Sequence, residues 1–424
     1  MDYPIWDLPL TGGGLIIAAV AVVHVFISHF AIGGGLFLVL TEAKAYRENN
    51  PQMLEFVRKS SLVFILVTLV FGALTGVGIW FTIGLISPAA TSALIHIFMW
   101  AWAIEWVFFL VEIAAAFIYY YSWDRMDRRS HLAVGWIYFA AAWLSLFMIN
   151  GILSFMMTPG RWPDTGSLWD GLLNPSFWPS LVLRTCVAVA LAGLYVLIMA
   201  ATLEPGRLRE RLARWASKWL WPPFIVMPVA GAWYLAVVPP AARHAAVAAP
   251  VMILLVLSVV FSLLIFGFAL FGPSRRPASL SMPLAVLITA LGVMVTGTGE
   301  WVREAIRKPY IIHGYMYVNS IRAADRAHVN EVGVLSVGRW ALTREIEPEN
   351  PARGGNEVFR LECAACHTVS GYNGVEPLAR GWPEEFIDYQ LRHLDTLKVF
   401  MPPFMGTEQE RRALAAYLAS LSEK

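Results

Sequence analysis

The chain has 424 residues, of which 58% are hydrophobic and only 15% are charged. An average soluble protein carries about 25% charged residues, so this composition indicates a polytopic membrane protein. The net charge of +2 says little about partners, but the lack of a basic stripe argues against a nucleic-acid partner. The three cysteines do not form the pattern of a disulfide framework.

Eight segments are long and apolar enough to cross a membrane as helices, which takes about 20 mostly apolar residues each. They cover residues 15–41, 62–86, 93–121, 134–157, 181–203, 220–238, 245–271 and 284–301. The sixth segment is the weakest prediction, because it contains Pro222, Pro223 and Pro228 and proline removes a helix hydrogen bond. The chain is therefore predicted to be all-α, with a polytopic membrane bundle of about eight transmembrane helices.

Lysine and arginine are distributed unevenly between the two sets of loops. The rich set has Lys44, Arg47, Arg58, Lys59, Arg125, Arg128, Arg129, Arg207, Arg209, Arg211, Arg214, Lys218, Arg275 and Arg276, and the poor set has Arg161 and Arg243. The positive-inside rule makes the rich loops cytoplasmic. The sequence thus predicts a multi-pass protein of a bacterial inner membrane, with its N-terminus and its C-terminal region on the periplasmic side.

The character of the chain changes after the eighth segment. We predict a membrane domain at 1–302, a linker at 303–351 with the membrane surface as its expected location, and a soluble domain at 352–424. The last helix of that domain begins with a capping box formed by Thr407 and Glu410. A second helix is predicted to begin at Pro383, because proline suits the first position of a helix.

Cys363, Cys366 and His367 form a C-x-x-C-H motif, the attachment pattern of a c-type haem. The spacing lets two thiols on one turn bond the two vinyl groups of a haem and directs His367 at the iron. Met401, in the sequence Met-Pro-Pro-Phe, is the predicted sixth ligand, with Met405 as the alternative, because imidazole and thioether are a known axial pair. A chance motif, a zinc site or a redox pair is the competing interpretation.

The order of this motif, the Met-Pro-Pro sequence and the capped terminal helix resembles class I cytochromes c. The resemblance implies one covalent haem c. It also implies that the domain lies outside the cytoplasm, where such haems are attached, in agreement with the loop charges.

Ionisable residues inside a membrane helix are costly and usually functional. The candidates are His24 and His29 in the first segment, Glu105 and Glu112 in the third, Arg184 in the fifth and Glu300 at the end of the eighth. At 1.5 Å per residue, His24 and Glu105 lie at a similar depth of about 15–18 Å. The pair could therefore ligate one haem iron or relay protons to it. Alternatively, the histidines only form hydrogen bonds between helices.

Several stretches stand in an order and at distances that are found in one membrane family. They are His24, residues 72–76 and 103–105, Glu112, and residues 123–125 and 307–310. Together they resemble subunit I of the cytochrome bd quinol oxidases. This resemblance implies that His24 ligates an active-site haem of type b or d. It also implies that Glu105 and Glu112 serve that haem and its proton path.

The sequence also departs from that family, and one departure is that the spacing from Glu105 to Glu112 is one residue shorter than in the family. The histidine of the family's low-spin haem falls on Arg184, although Met252 matches the methionine on the other side of that haem. The carboxylate that ligates the second active-site haem falls near Gly297, with Glu300 close by. The long quinol-binding loop is replaced by a short turn at 239–245. These departures predict a remodelled subunit with fewer haems.

Three hypotheses follow. The first is a membrane-integral cytochrome that transfers electrons between a haem on His24, with quinone as one membrane-side partner, and the external haem c. The second is a terminal oxidase that reduces oxygen with electrons from cytochrome c. The third is an anchor and relay subunit. The expected partners are other membrane and redox subunits of a respiratory complex and a soluble or complex-bound c-type cytochrome.

Overall fold

A computed structural model describes residues 4–421. Within that range, eight helices are long and apolar enough to cross a membrane. They are α1 (Gly12–Arg47), α2 (Pro51–Ile86), α3 (Met99–Tyr121), α4 (Arg128–Phe155), α5 (Phe177–Ala201), α6 (Arg207–Val237), α7 (Ala249–Phe271) and α8 (Met282–Arg307). The predicted bundle of eight apolar helices is therefore confirmed.

Helix α6, the weakest prediction, continues through all three of its prolines. In a membrane, neighbouring helices and local adjustments compensate for the hydrogen bonds that proline removes. Here α5 lies against α6 over much of its length. Gly193 of α5 lets the two helices approach each other closely, because a Cβ at this position would stand 2.8 Å from Cγ of Leu220 on α6.

The predicted third segment is divided at Phe98. A short helix, Pro88–Ile97, precedes it and α3 follows it. The Phe98 ring is fully buried and packs edge-on against Phe155 at the end of α4, with 4.8 Å between ring centroids. The helix breaks where this ring is anchored, so α3 begins later than its hydrophobicity predicts.

The helix ends with the basic loops lie on one side of the bundle. Arg58 pairs with Asp124 at 2.7 Å, and Arg211 pairs with Glu48 at 3.5 Å. The opposite side, called the outer face below, carries the C-terminal domain. The start of α1 also lies on this side. Eight crossings put the two ends of the membrane domain on the same side of the bundle.

The segment after α8 is folded. Strands β1 (Tyr310–Ile312) and β2 (Met316–Tyr317) form an antiparallel hairpin, and the His313 N–H donates to the Met156 carbonyl at the end of α4 (2.9 Å). A 3₁₀ turn and two short helices follow at Ala323–Asp325, Arg326–Val332 and Val334–Val337. Buried side chains of 317–335 share one apolar core with the C-terminal domain. The segment thus forms part of that domain's core.

The C-terminal domain contains α9 (Pro351–Glu362), α10 (Glu384–Arg392) and α11 (Glu408–Ser420), with short helices at Glu376–Ala379 and Leu394–Leu397. The predicted capping box at Thr407 and Glu410 is confirmed. Pro383 is the residue before α10 rather than its first residue, because its backbone is extended. Helices α9 and α11 cross closely at Gly355, where a Cβ would stand 1.9 Å from the Ala413 carbonyl oxygen.

Candidate functional site

The C-x-x-C-H residues are brought together by a tight turn at the end of α9. The Cys363 carbonyl accepts hydrogen bonds from the backbone N–H groups of Cys366 (3.0 Å) and His367 (2.9 Å). Cys363 is partly buried against the domain core. The turn therefore presents both thiols and the imidazole from one short stretch of chain, as covalent haem attachment requires.

His367 is oriented by the loop that follows it. Its Nδ1–H donates to the Asn373 carbonyl (2.9 Å), and the Asn373 amide donates back to the Cys366 carbonyl (2.7 Å). This leaves Nε2 as the free nitrogen, which is the usual arrangement of a metal-ligating histidine. Burial lowers the pKa of His367, so the imidazole stays neutral and its lone pair is available.

The two candidate sixth ligands lie in different surroundings. Met405 is fully buried in the domain core, whereas Met401 is partly exposed. Residues 382–400, which precede Met401 in the chain, expose several large apolar side chains, namely Trp382, Phe386, Tyr389, Leu397, Val399 and Phe400. Apolar surface of this kind fits a domain whose ligand is a porphyrin. Met401 remains the predicted ligand.

His24 contacts Thr75 of α2, with 3.2 Å between Nδ1 and Oγ1. The Thr75 hydroxyl donates its own hydrogen to the Phe71 carbonyl (2.7 Å). Its oxygen must therefore accept from the imidazole, so the proton of His24 is on Nδ1 and the lone pair is on Nε2. A neutral histidine with Nε2 free is the form that ligates haem iron, and the residues present fit that group.

Two features of α2 allow this contact. Residues Leu66–Phe71 form a π-helical stretch, a wide turn that is often found at functional sites. It sets the rotation of the next turn, which carries Thr75. One residue later, a Cβ at Gly76 would stand 3.3 Å from Cε1 of His24, so glycine leaves room for the ring.

Polar pairs cross the contact between the antiparallel helices α3 and α4 at intervals of seven residues. The pairs are Glu105 with Ser145 (2.7 Å), Glu112 with Tyr138 (3.0 Å), and the Tyr119 carbonyl with Nε2 of His131 (2.9 Å). Seven residues are about two helical turns, so the pairs form a line along one interface with a spacing of about 10.5 Å. We call this line the polar ladder.

Glu42 of α1 joins the pair of Tyr119 and His131, which lies at the end of the bundle that carries the basic loops. Its carboxylate accepts from the Tyr119 hydroxyl (2.7 Å) and contacts Nδ1 of His131 (2.8 Å). Glu42 is fully buried and His131 is 2% exposed. The cluster and the hydroxyl partners of the two glutamates are not among the residues predicted from the sequence. The seven-residue spacing of His131, Tyr138 and Ser145 was the signal that could have identified them.

The polar ladder also relates the depth of His24 to that of Glu105. The Tyr138 hydroxyl lies 3.2 Å from the Ala31 carbonyl of α1 and 3.0 Å from Glu112 of α3. His24 lies seven residues before Ala31, and Glu105 lies seven residues before Glu112. Since α1 and α3 run in the same direction, His24 and Glu105 lie at a similar depth. Their hydrogen-bond partners differ, however.

Arg184, at the position of the family's low-spin haem ligand, lies in a buried ionic cluster. Its guanidinium stands 3.4 Å from Glu300, and Glu300 also pairs with Arg303 at 2.9 Å. A guanidinium keeps its proton and offers no lone pair to iron. The residues at this position therefore do not fit the low-spin haem of the family.

Comparisons with known proteins agree with this architecture. The family model "Cytochrome bd terminal oxidase subunit I" matches residues 15–233, and "Cytochrome C oxidase, cbb3-type, subunit III" matches residues 350–418. The structure of bd oxidase from Geobacillus thermodenitrificans has the same fold, with a TM-score of 0.63 and 16% identity over 72% of this chain and 88% of that chain. A search of curated protein sequences finds no significant match.

These matches describe a multi-pass membrane cytochrome with a bd-type membrane domain and a cytochrome c domain. The first family model covers more than half of the 424 residues. The chain therefore belongs to the family of cytochrome bd terminal oxidase subunit I and carries a C-terminal cytochrome c domain.

Proposed function

We propose that this protein is a membrane-integral cytochrome that moves electrons between a haem on His24 and a c-type haem on Cys363 and Cys366. The observation that carries the proposal is that His24 and His367 are held alike. Each has its Nδ1 hydrogen-bonded to an oxygen, at 3.2 Å and 2.9 Å, and each keeps Nε2 free. When bound, the haems supply one-electron chemistry.

The protein residues position these groups. Thr75 fixes the tautomer of His24, and Asn373 fixes that of His367. Met401 would be the second protein ligand of the external haem, and its thioether would raise the potential of that haem. We propose one covalent haem c and at least one haem b or d in the membrane domain. The ionic cluster of Arg184 and Glu300 predicts that the low-spin haem of the family is absent.

The proposed location is a bacterial inner membrane, with the cytochrome c domain in the periplasm. A soluble or complex-bound c-type cytochrome is the expected partner of that domain, beside other membrane and redox subunits. Quinone is a candidate partner at the membrane site, although residues 240–246 form only a short helix where the family has a long quinol-binding loop.

A protease test checks the proposed location of the cytochrome c domain. Protease added to spheroplasts should remove the domain, and protease added to inverted vesicles should leave it intact.

Haem analysis of the purified full-length protein tests the proposal. Pyridine haemochrome spectra should give one haem c and at least one b- or d-type haem per chain. Reduced-minus-oxidised spectra should show both types. A c-type signal without a membrane-haem signal would refute the membrane half of the proposal.

The polar ladder favours a second candidate function, a terminal oxidase. Oxygen reduction consumes protons, and the ladder places Glu42, Glu112 and Glu105 in a line from the basic side to the depth of His24. Each carboxyl accepts from a hydroxyl, so the residues hold protons in fixed positions.

Oxygen uptake with a reduced c-type donor separates the two candidates. A terminal oxidase would show uptake that is sensitive to cyanide or nitric oxide. Glu112→Gln would slow this uptake, while Glu55→Gln, at an exposed position of α2, would leave it unchanged. A protein that transfers electrons without oxygen uptake is not an oxidase.

A further inference from the structure

The first described residues form a strap over the outer face. We call residues 4–12 the N-terminal strap. The Trp6 N–H donates to the Leu85 carbonyl at the end of α2 (3.0 Å), and the Trp6 ring packs edge-on against Phe81 at 6.3 Å. The Gly12 N–H closes a turn on the Leu8 carbonyl (2.8 Å). The strap is therefore fixed to the bundle where α1 begins.

The strap contacts the haem loop, defined here as residues 363–373. The Tyr372 N–H donates to the Leu10 carbonyl (2.8 Å). A Cβ at Gly371 would stand 2.2 Å from the Leu10 oxygen, so only glycine permits this approach. Thr368 is buried and donates to the Tyr372 carbonyl (2.9 Å), which holds the loop closed against the strap.

The same loop orients the haem ligand. Tyr372 is bonded to the strap, and the next residue, Asn373, accepts the Nδ1–H of His367. On its other side the loop is held by the segment that follows α8, because the Asn319 amide donates to Glu362 (2.9 Å) beside Cys363. The ligand loop is thus bonded to the strap on one side and to the segment after α8 on the other.

We infer that the strap and the haem loop form a permanent joint that holds the c haem over the outer end of α1 and makes it the fixed electron-transfer contact of the membrane haem. The cytochrome c domain then does not swing as a tethered shuttle. From Gly12 to His24 the helix advances twelve residues, about 18 Å. The inference rests on the proposed function, since it requires a haem at His24.

The test measures electron exchange between the c-type and membrane haems after rapid photoreduction of the c haem in the full-length protein. Gly371→Ala forces a Cβ into the Leu10 carbonyl and should slow exchange several-fold. Gly14→Ala is the matched control, because nothing lies within 4 Å of its Cβ, and it should exchange like the wild type. The potential and spectrum of the haem c should not change in Gly14→Ala; a change in Gly371→Ala means that the haem ligand has moved, and Trp6→Ala then replaces that variant in the test.

Hydrogen exchange shows whether the joint itself has opened. In Gly371→Ala the amides of 368–376 should lose protection, while those of α11 should keep it. If Gly371→Ala loses its haem, Trp6→Ala is used instead. It loosens the strap from outside the cytochrome domain and should slow electron exchange between the haems in the same way.

The outcomes distinguish the two proposals. Wild-type protein that shows no exchange between the haems refutes the proposed function and the joint together. Wild-type protein that exchanges electrons, with variants that lose protection at 368–376 yet keep the wild-type rate, refutes only the joint. Variants that keep both the amide protection at 368–376 and the wild-type rate of electron exchange also refute the joint.

Discussion

The two candidate haem sites of this protein are built in opposite ways. The external site comes from one short stretch, in which a turn places Cys363, Cys366 and His367 together and Asn373 orients the imidazole. The membrane site is assembled from separate helices: His24 lies on α1, its partner Thr75 on α2, and Glu105 on α3. The first site is therefore local in sequence, and the second depends on how the bundle packs.

This difference has consequences for what a substitution does. At the external site, the haem is expected to be covalent, so loss of attachment is an all-or-none event. At the membrane site, the haem would be held by one coordinate bond and by packing. Graded losses are expected there, because a partner that only orients a ligand typically changes affinity about 10- to 100-fold.

The largest expected effect is at the external site. Replacement of both Cys363 and Cys366 by alanine should abolish haem staining of the chain on a denaturing gel, because no thioether can form. Cys186→Ala, which changes the lone cysteine of α5, should leave the staining unchanged. Staining that persists without Cys363 and Cys366 would contradict the assignment.

The next largest effect is expected at His24. His24→Ala removes the proposed iron ligand and should eliminate the b- or d-type component of the difference spectrum while the c-type component remains. His96→Ala is the control, because this histidine is exposed and bonds to its own helical turn. If the membrane signal and electron transfer survive in His24→Ala, the helical part acts only as an anchor.

Substitution of the sixth ligand should change the potential without loss of the haem. Met401→Leu should lower the reduction potential of the haem c and abolish its methionine–iron charge-transfer band, since a thioether ligand raises the potential. Met405→Leu is a volume-conserving change in the core, which usually costs less than about 1.5 kcal/mol, and it should keep both properties. The reverse result would make Met405 the ligand.

Thr75→Val should weaken the membrane site without abolishing it. The hydroxyl that accepts from His24 is lost, so occupancy of the membrane haem should fall with an affinity decrease of about 10- to 100-fold. Haem titration of the depleted protein measures this change. Thr82→Val on the same helix removes a hydroxyl that bonds only to backbone carbonyls, and equal effects of the two variants would show that Thr75 has no special role.

The smallest effect is expected at a purely structural residue of the cytochrome domain. Glu410 accepts backbone N–H bonds from Thr407, Val334 and Leu335, so Glu410→Ala leaves buried donors unpaired and should cost about 1–3 kcal/mol. Thermal unfolding followed by Soret circular dichroism measures the loss. The exposed neighbour Gln409→Ala should be neutral.

Prediction from sequence succeeded where the signal is local or summed over a long segment. The eight apolar helices follow from hydrophobicity alone, and the capping box of Thr407 and Glu410 follows from two residues at a fixed spacing. Prediction was less accurate where side-chain packing sets the end of a helix or the domain to which a segment belongs. The ring of Phe98 divides the third segment, and the residues after α8 fold into the core of the cytochrome domain.

The membrane bundle, the C-x-x-C-H motif and the ionisable residues inside the helices can be identified from the sequence, because each depends on neighbouring residues or on total hydrophobicity. The contacts of those residues depend on how the helices pack in three dimensions. Thr75 orients His24, Glu42 joins His131, and Leu10 holds Tyr372. These contacts join residues that are 51, 89 and several hundred positions apart, and helix packing, rather than any local pattern, selects such partners.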